Sequence, residues 1–256
     1  MKNFHQDFDA HFLDRVKVGS LLNVDSSIYP FSLPIIKNLK DIVFPTQVTF
    51  FVGENGTGKS TLLEAIALKA ELGLEGGSRN INFRTTENNN APQQLADRFT
   101  LSWRSKPKNS YFFRAESFFN LANQIDIFAQ EDMRIYDSYG GKSLHHQSHG
   151  ESFMSFFNNR LGSKGFFIFD EPEAALSPQR QLSLMVIMHD ICKNPQSQFI
   201  IATHSPLLLA YPNATIYFCG SENLEQVSYK ETEHYQLTKR FLSNPEQYLD
   251  QLFLDE

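Results

Sequence analysis

The sequence contains little cysteine and begins without an apolar stretch of the signal-peptide kind. Only two of its 256 residues are cysteines, Cys192 and Cys219, and they lie too far apart for a Cys-x-x-Cys motif. This usage is typical of a reducing compartment. Residues 1–8 lack the apolar region of a secretory signal. We therefore expect a cytoplasmic protein.

Long hydrophobic runs and excess positive charge are also missing. No apolar run approaches the roughly 18 residues that a membrane span requires, so we expect no direct membrane insertion. The chain has 23 Lys and Arg residues against 29 Asp and Glu, a formal net charge of −6. This balance does not support a broad basic face for nucleic acid, although it leaves room for a local patch.

One glycine-rich stretch has the spacing of a phosphate-binding loop, G-x4-G-K-S. It lies between an apolar run, 48–52, and a segment with helical character, 62–68. Glycines let backbone N–H groups converge on a polyphosphate, and the helix N-terminus adds its free amides. The alternative is a turn that binds nothing and has this spacing by coincidence. We expect such a coincidence in roughly one chain of this length in a hundred. The predicted nucleotide-binding residues are Gly53, Glu54, Asn55, Gly56, Thr57, Gly58, Lys59, Ser60 and Thr61.

Apolar strands alternate with helical segments along the chain, which predicts an α/β fold of the P-loop NTPase type with a doubly wound, mostly parallel core sheet. We expect a single domain over 1–256, with a core at about 11–79 and 163–256 and a smaller helical lobe inserted at about 80–162. Within that lobe, 99–104 and 111–114 are predicted as a pair of strands around a Lys-Pro-Lys turn. Glycines at 73, 76 and 77 are expected to end the helix that follows the loop.

Two further apolar strands end in residues that suit phosphate chemistry. Asp170 and Glu171 follow the run 166–169, where an Asp can hold Mg²⁺ and a Glu can accept a proton from water. The alternative is that both merely cap the strand. His204 follows the run 199–202 and is either a structural histidine or a contact for the γ-phosphate; its companion motifs favour the contact. Ser148 is predicted to cap a helix.

In their order these motifs resemble the ATP-binding cassette (ABC) class of ATPases. Walker A corresponds to Gly53–Ser60, the signature to Ser148–Ser152, Walker B to Phe166–Glu171 and the switch histidine to His204. The residues of the two Walker motifs resemble those of the SMC, RecF and OLD-type branch of this class. From about residue 12 to 252 the chain also resembles small stand-alone bacterial ATPases, with matching stretches at 29–34, 113–120, 147–153 and 202–206.

The resemblance implies ATP and Mg²⁺ as cofactors and assigns roles by position. The 53–61 loop would bind the phosphates, and the metal would be held by Ser60, Asp170 and Glu116. Glu171 would orient or deprotonate the attacking water, and His204 would contact the γ-phosphate. Tyr29 or Phe31 would either stack on adenine or anchor its loop.

The resemblance also implies an ATP-dependent homodimer, because the signature acts on the nucleotide of a second copy. Ser148 and Gly150 of one chain would meet ATP held by the other, head to tail. Two positions depart from the class pattern: His149 replaces a Gly, and Ser177 replaces an Asp. Both bear on how the second copy would close the site.

Three functions are compatible with these motifs. The first is an ATPase switch that acts on an unknown protein partner, in DNA maintenance or a defence-like process. The second is the nucleotide-binding subunit that energises a membrane transporter. The third is an ATP sensor without hydrolysis, against which the presence of Glu171 argues.

Overall fold

The computed structural model describes residues 11–21, 24–73, 91–220 and 223–253, with the side chain of His149 left out. The strands in these ranges are β1 (Leu13–Val18), β2 (Ile42–Val43), β3 (Val48–Val52), β4 (Phe99–Trp103), β5 (Ser110–Arg114), β6 (Gly165–Asp170), β7 (Ser197–Ala202), β8 (Thr215–Cys219) and β9 (Leu224–Val227). The helices are α1 (Pro34–Lys37), α2 (Lys59–Lys69), α3 (Ala91–Ala96), α4 (Phe118–Ala129), α5 (His149–Arg160), α6 (Pro178–Cys192), α7 (Glu233–Ser243) and α8 (Pro245–Phe253). None of the helices in the described ranges is long and apolar enough to cross a membrane.

The main sheet has six strands in the order β5-β6-β7-β3-β8-β9. All neighbouring pairs are parallel except β8 and β9, which form an antiparallel edge. Every residue of β3, β6 and β7 is buried, as expected for apolar strands covered on both faces. The predicted α/β fold with a parallel-dominated sheet is confirmed.

The two faces of the main sheet are covered differently. On one face, residues such as Phe50, Phe113 and Phe169 pack against α4, α5 and α6. On the other, Phe51 and Ile168 pack against α2 and a second, three-stranded antiparallel sheet in the order β2-β1-β4. The expectation of a doubly wound sheet did not include this second sheet, because β1 pairs with β4, which lies more than 80 residues further along the chain.

A buried glutamine joins the two sheets. Gln198 on β7 accepts a hydrogen bond from the Leu13 N–H at 2.7 Å and donates to the Leu13 carbonyl at 2.9 Å. Both backbone groups of the β1 terminus are therefore satisfied by one side chain, which is fully buried. The second sheet is held against the core at this point.

The predicted strand pair at 99–104 and 111–114 is wrong as a pair. Strand β4 pairs with β1 in the second sheet, whereas β5 pairs in parallel with β6 on the edge of the main sheet. Both strands fall within the span 80–162 that is predicted as the inserted lobe, and the helices described in that span are α3, α4 and α5. Residues 74–90 lie outside the described ranges. The pairing of β5 places Arg114 beside Asp170.

Two helix ends show how local sequence sets these boundaries. Helix α2 stops at Lys69, earlier than the predicted glycines, and Glu71 takes the left-handed conformation with φ of 66°. The N–H groups of Glu71 and Leu72 donate to Leu68 and Ala67 in the pattern of a Schellman motif. Helix α5 begins after Ser148 as predicted, and the Ser148 N–H and hydroxyl both donate to Glu151, at 3.0 and 2.7 Å.

Candidate active site

Most of the predicted site residues lie at the carboxyl edge of the main sheet. The loop at 53–61 follows β3, Asp170 ends β6, and His204 lies just after β7. Because these strands run parallel, their carboxyl ends share one edge, where α/β folds bind ligands. The structure therefore brings together the loop, Asp170, Glu171 and His204 from distant parts of the sequence.

Backbone conformation explains two of the glycines in the loop. At Gly53, φ is 155° and a Cβ atom would lie 2.5 Å from the Cys219 carbonyl oxygen, so the chain passes too close to β8 for a side chain. At Gly56, φ is 77° and a Cβ would meet nothing within 4 Å. Gly56 thus lies at the exposed tip of the loop, next to the exposed residues Glu54 and Asn55. This exposed tip leaves room for a bound polyphosphate.

The start of α2 presents donors without a side-chain cap. Gly58 occupies the N-cap position and provides no capping side chain, so the N–H groups of the first turn are available to an anion. Lys59 follows and is buried, and its Nζ donates to the carbonyls of Gly53 at 2.8 Å and Glu54 at 2.7 Å. Burial lowers the pKa of Lys59. A phosphate near this ammonium would stabilise its charged form.

The remaining loop residues have identifiable contacts. The Thr57 hydroxyl donates to the Glu54 carbonyl at 2.9 Å and steadies the loop. The Thr61 hydroxyl lies 2.7 Å from the hydroxyl of Tyr29. Tyr29 is half-exposed, whereas Phe31 is buried in the core. Phe31 therefore anchors its segment, and Tyr29 is the aromatic ring that lies accessible beside the loop.

A serine and an aspartate form a pair of oxygen ligands between the loop and β6. The Ser60 hydroxyl donates to Asp170 Oδ1 at 3.0 Å, and Asp170 is 4% exposed. Burial raises the pKa of Asp170 to about 7, opposed by the Arg114 guanidinium and the Ser60 hydroxyl. A divalent cation would offset this cost, and a carboxylate with a hydroxyl is a donor set that Mg²⁺ accepts. The residues present fit the predicted metal.

The side chain of Arg114 was missed by the sequence reasoning. Its Nε lies 3.7 Å from Asp170 Oδ2, and its Nη atoms contact the carboxylates of Glu64 and Glu116. Glu64 is buried on α2 four residues after Ser60, on the same helix face, and burial raises its pKa. A polar residue at that spacing within an apolar helix was the available signal for Glu64.

Glu116, predicted as a metal ligand, is linked to the site through that guanidinium. Its side chain is 77% exposed, and its carboxylate accepts from Arg114 at 3.0 Å. Arg114 in turn contacts Asp170. Glu116 therefore lies near Ser60 and Asp170, the other two predicted metal ligands, and its role as a direct ligand stays a prediction.

Glu171 and His204 face each other beyond the end of β6. Glu171 has a left-handed backbone, with φ of 49°, and its N–H donates to the Ala202 carbonyl at 2.9 Å. Such strained conformations concentrate at functional sites. Glu171 Oε1 lies 3.6 Å from His204 Nε2. Burial and the Lys59 charge lower the pKa of His204 to about 4, so the ring is neutral at physiological pH.

Two more residues hold His204 in place, and neither was predicted. Glu173 accepts a hydrogen bond of 2.6 Å from the His204 backbone N–H. The Nε2 atom of His234, on α7, lies 3.0 Å from His204 Nδ1. No sequence pattern pointed to His234, because it is an ordinary member of a polar helix that reaches the site only through tertiary packing.

Ser148 and Gly150 lie at the start of α5. Their contacts in the structure are with Glu151 and Arg180. At Gly150 a Cβ atom would overlap the Arg180 guanidinium, so this glycine permits close approach of α6. A role for these two residues in binding nucleotide therefore rests on a second copy of the chain, as the resemblance implied.

Comparison with known proteins gives two partial family matches and several structural likenesses. Residues 155–210 match the family described as "AAA domain, putative AbiEii toxin, Type IV TA system", and residues 30–90 match a family described as "AAA domain". The first match contains Asp170, Glu171 and His204, and the second contains the loop. No curated protein matches the chain.

Three solved structures resemble the chain at low identity. The first is described as "An inward-facing conformation of a putative metal-chelate type ABC transporter" (15% identity, 77% of this chain and 78% of that chain, TM-score 0.45). The second is the SMC head domain from Thermotoga maritima (16%, 84% and 99%, 0.43). The third is CbiO1 from Clostridium perfringens, part of the ABC transporter complex CbiONQ (18%, 81% and 89%, 0.44). At these TM-scores none of the three carries an argument about function.

Proposed function

We propose that the chain, which has a parallel-dominated α/β fold and matches two AAA-domain families, is an ABC/SMC-like P-loop ATPase that hydrolyses ATP with Mg²⁺, and that ATP joins two copies head to tail. The observation that supports hydrolysis most directly is the hydrogen bond between Ser60 and Asp170. It places a hydroxyl from the loop and a buried carboxylate from another strand at one point. The terminal phosphate is proposed to lie beside the neighbouring Glu171 and His204.

The loop and α2 bind the nucleotide. The exposed tip of the loop at Gly56 and the uncapped N–H groups of α2 contact the phosphates, and the positive end of the helix dipole stabilises their negative charge. Lys59 lies beneath the same loop and can turn its ammonium from the loop carbonyls to a phosphate oxygen. When bound by Ser60 and Asp170, Mg²⁺ supplies charge stabilisation at the phosphate oxygens.

Cleavage needs a group that accepts a proton and a group that donates to the phosphate. Water forms a bond to the γ-phosphorus, the bond from that phosphorus to the ADP oxygen breaks, and a proton of the water passes to Glu171. The carboxylate of Glu171 is partly exposed, so water has access to it. His204 Nε2 is buried and has no hydrogen-bond partner among the described residues, which fits a contact with a phosphate oxygen.

The second half of the site is proposed to come from another copy. The Ser148 hydroxyl, the α5 N-terminus and Arg180 lie together at the start of α5, and this group carries donors suited to an anion. Ser148 is hydrogen-bonded to Glu151 of its own helix and Gly150 lies against Arg180 of α6, so a head-to-tail dimer would bring this group to the loop of a second copy and complete both sites at once.

A dimer that depends on ATP can be tested with the variant Glu171→Gln. If hydrolysis is slowed, this variant should accumulate with ATP and Mg²⁺ at the mass of a dimer in light scattering. The double variant Lys59→Ala, Glu171→Gln is the control and should keep the mass that it has without nucleotide. A monomer mass for Glu171→Gln at saturating ATP would contradict the dimer.

The proposed cellular role is a switch that acts on a protein partner in a defence-like process or in DNA maintenance. The description of the family matched at 155–210 names a toxin–antitoxin system, which supports the defence-like alternative. Stimulation of ATP hydrolysis by double-stranded DNA would favour DNA maintenance. An absence of DNA stimulation together with association with membrane subunits would favour the transporter alternative.

A further inference from the structure

His204 and His234 form a pair of imidazoles beside Glu171. His234 is the second residue of α7, and its Nε2 lies 3.0 Å from Nδ1 of His204. The ring centroids are 5.2 Å apart and the ring planes make an angle of 51°. The outer nitrogens, His204 Nε2 and His234 Nδ1, are buried and have no hydrogen-bond partner among the described residues. The contact between the two rings is therefore the hydrogen bond that orients each of them.

The direction of this hydrogen bond decides where the proton of His204 lies. Burial lowers the pKa of both histidines, so both rings are neutral and each carries one N–H. If His204 donated through Nδ1, its Nε2 would turn a lone pair toward Oε1 of Glu171, 3.6 Å away. A lone pair and a carboxylate repel each other, whereas an N–H and a carboxylate attract. The favourable arrangement has His234 donating from Nε2.

We propose that His234 is a positioning residue that holds His204 as the tautomer protonated on Nε2. In that tautomer His204 presents an N–H to the place that the γ-phosphate would occupy, and the hydrogen bond at the other nitrogen fixes which nitrogen is protonated. His234 acts through His204 and does not itself touch the nucleotide. The role rests on the proposed function, whereas the tautomer is a property of the protein without ligand.

The start of α7 is anchored firmly enough to place His234. Thr232 is buried, and its hydroxyl donates to the Tyr229 carbonyl at 2.7 Å while accepting from the Tyr235 N–H at 3.4 Å. The rings of Tyr229 and Tyr235 also pack, with centroids 4.7 Å apart. These contacts hold the first turn of the helix on both sides of His234, so the imidazole has little freedom to leave its partner.

Nitrogen NMR of the ligand-free protein tests the tautomer directly. With ¹⁵N-labelled histidine, two-bond ¹⁵N–¹H correlations distinguish an imidazole protonated on Nε2 from one protonated on Nδ1. His204→Gln identifies the signals of His204 by their loss. We expect the Nε2-protonated form in the wild type, and a mixture or the Nδ1 form in His234→Leu. Nδ1 protonation in the wild type, or an unchanged His204 spectrum in His234→Leu, would overturn the proposal.

Kinetics test the role in turnover separately. His234→Leu should lower kcat about 10- to 100-fold with the KM for ATP changed less than about threefold, because orientation is lost while phosphate binding is kept. His234→Gln keeps an N–H donor and should restore most of kcat, which a purely structural role of the ring would not explain. His189→Gln, at an exposed position, is the control. Equal losses in His234→Gln and His234→Leu would overturn the proposal. A wild type that fails to hydrolyse ATP would contradict the proposed function, and the NMR result would still decide the tautomer.

Discussion

The hydroxyl of Ser60 donates to Oδ1 of Asp170 at 3.0 Å, across 110 residues of sequence. Ser60 lies in the first turn of α2, and Asp170 ends β6. Strand β7 lies between β6 and β3 in the sheet. The contact therefore joins the loop that follows β3 to the end of β6, which is not a neighbour of β3. It is the contact that brings the glycine-rich loop and the end of β6 together in the candidate site.

The burial of Asp170 predicts a stability that depends on pH. Its pKa is about 7 in the folded protein against 3.8 for the free side chain. Between these values unfolding releases a proton, so the neutral carboxyl stabilises the fold below about pH 4 and this contribution is lost as the pH rises to about 7. Asp170→Asn does not titrate. In Mg²⁺-free buffer its free energy of unfolding, relative to the wild type, should rise by about 2 kcal/mol between pH 5 and pH 8.

Urea unfolding at the two pH values measures this difference. Asp250→Asn, at an exposed position on α8, is the control and should give the same difference from the wild type at pH 5 and pH 8. A difference for Asp170→Asn that does not change with pH would show that its carboxyl is already ionised in the folded protein.

Lys59 is expected to supply much of the affinity for nucleotide. Lys59→Ala removes the ammonium beneath the loop and should weaken ATP binding about 100-fold, which corresponds to roughly 3 kcal/mol for a charge-assisted contact. Lys69→Ala, at the exposed end of the same helix, is the matched control and should bind as the wild type does. Calorimetry of the two variants with ATP and Mg²⁺ makes the comparison. Unchanged affinity in Lys59→Ala would remove the loop from the site.

The sequence alone predicted the local elements of this site well. Strand β3 has the predicted bounds, and the strands that precede Glu171 and His204 lie where their apolar runs indicated. These features follow from short-range patterns: a glycine-rich turn and runs of apolar residues. Short-range patterns of this kind are enough to predict the strands and the loop that carry the candidate site residues.

What sequence reasoning missed depends on contacts between distant segments. The edge position of β5 follows from pairing with β6, more than 50 residues away, and no local pattern encodes that partner. Arg114 and His234 reach the site only because of such packing. The predicted hairpin failed for the same reason, since two neighbouring strands in sequence were assigned to one sheet although each has its partner elsewhere.

Complementation between two inactive variants tests the proposed sharing of sites. Ser148→Arg should block the α5 end of a chain, and Lys59→Ala should disable its loop, so each variant alone is expected to lack ATP hydrolysis. In a mixed dimer, the loop of the Ser148→Arg chain meets the intact α5 end of the Lys59→Ala chain. Mixing should therefore restore part of the activity. Activity that stays at the level of the separate variants would contradict a site built from two chains.

Release of phosphate from ATP by the wild type and by Glu171→Gln tests the central claim most directly. Glu171 is proposed to take the proton of the attacking water, so the substitution should lower the rate at least about 100-fold while ATP still binds. Glu131→Gln, an exposed carboxylate after α4, should keep the wild-type rate. Phosphate release by Glu171→Gln at the wild-type rate would contradict hydrolysis at this site.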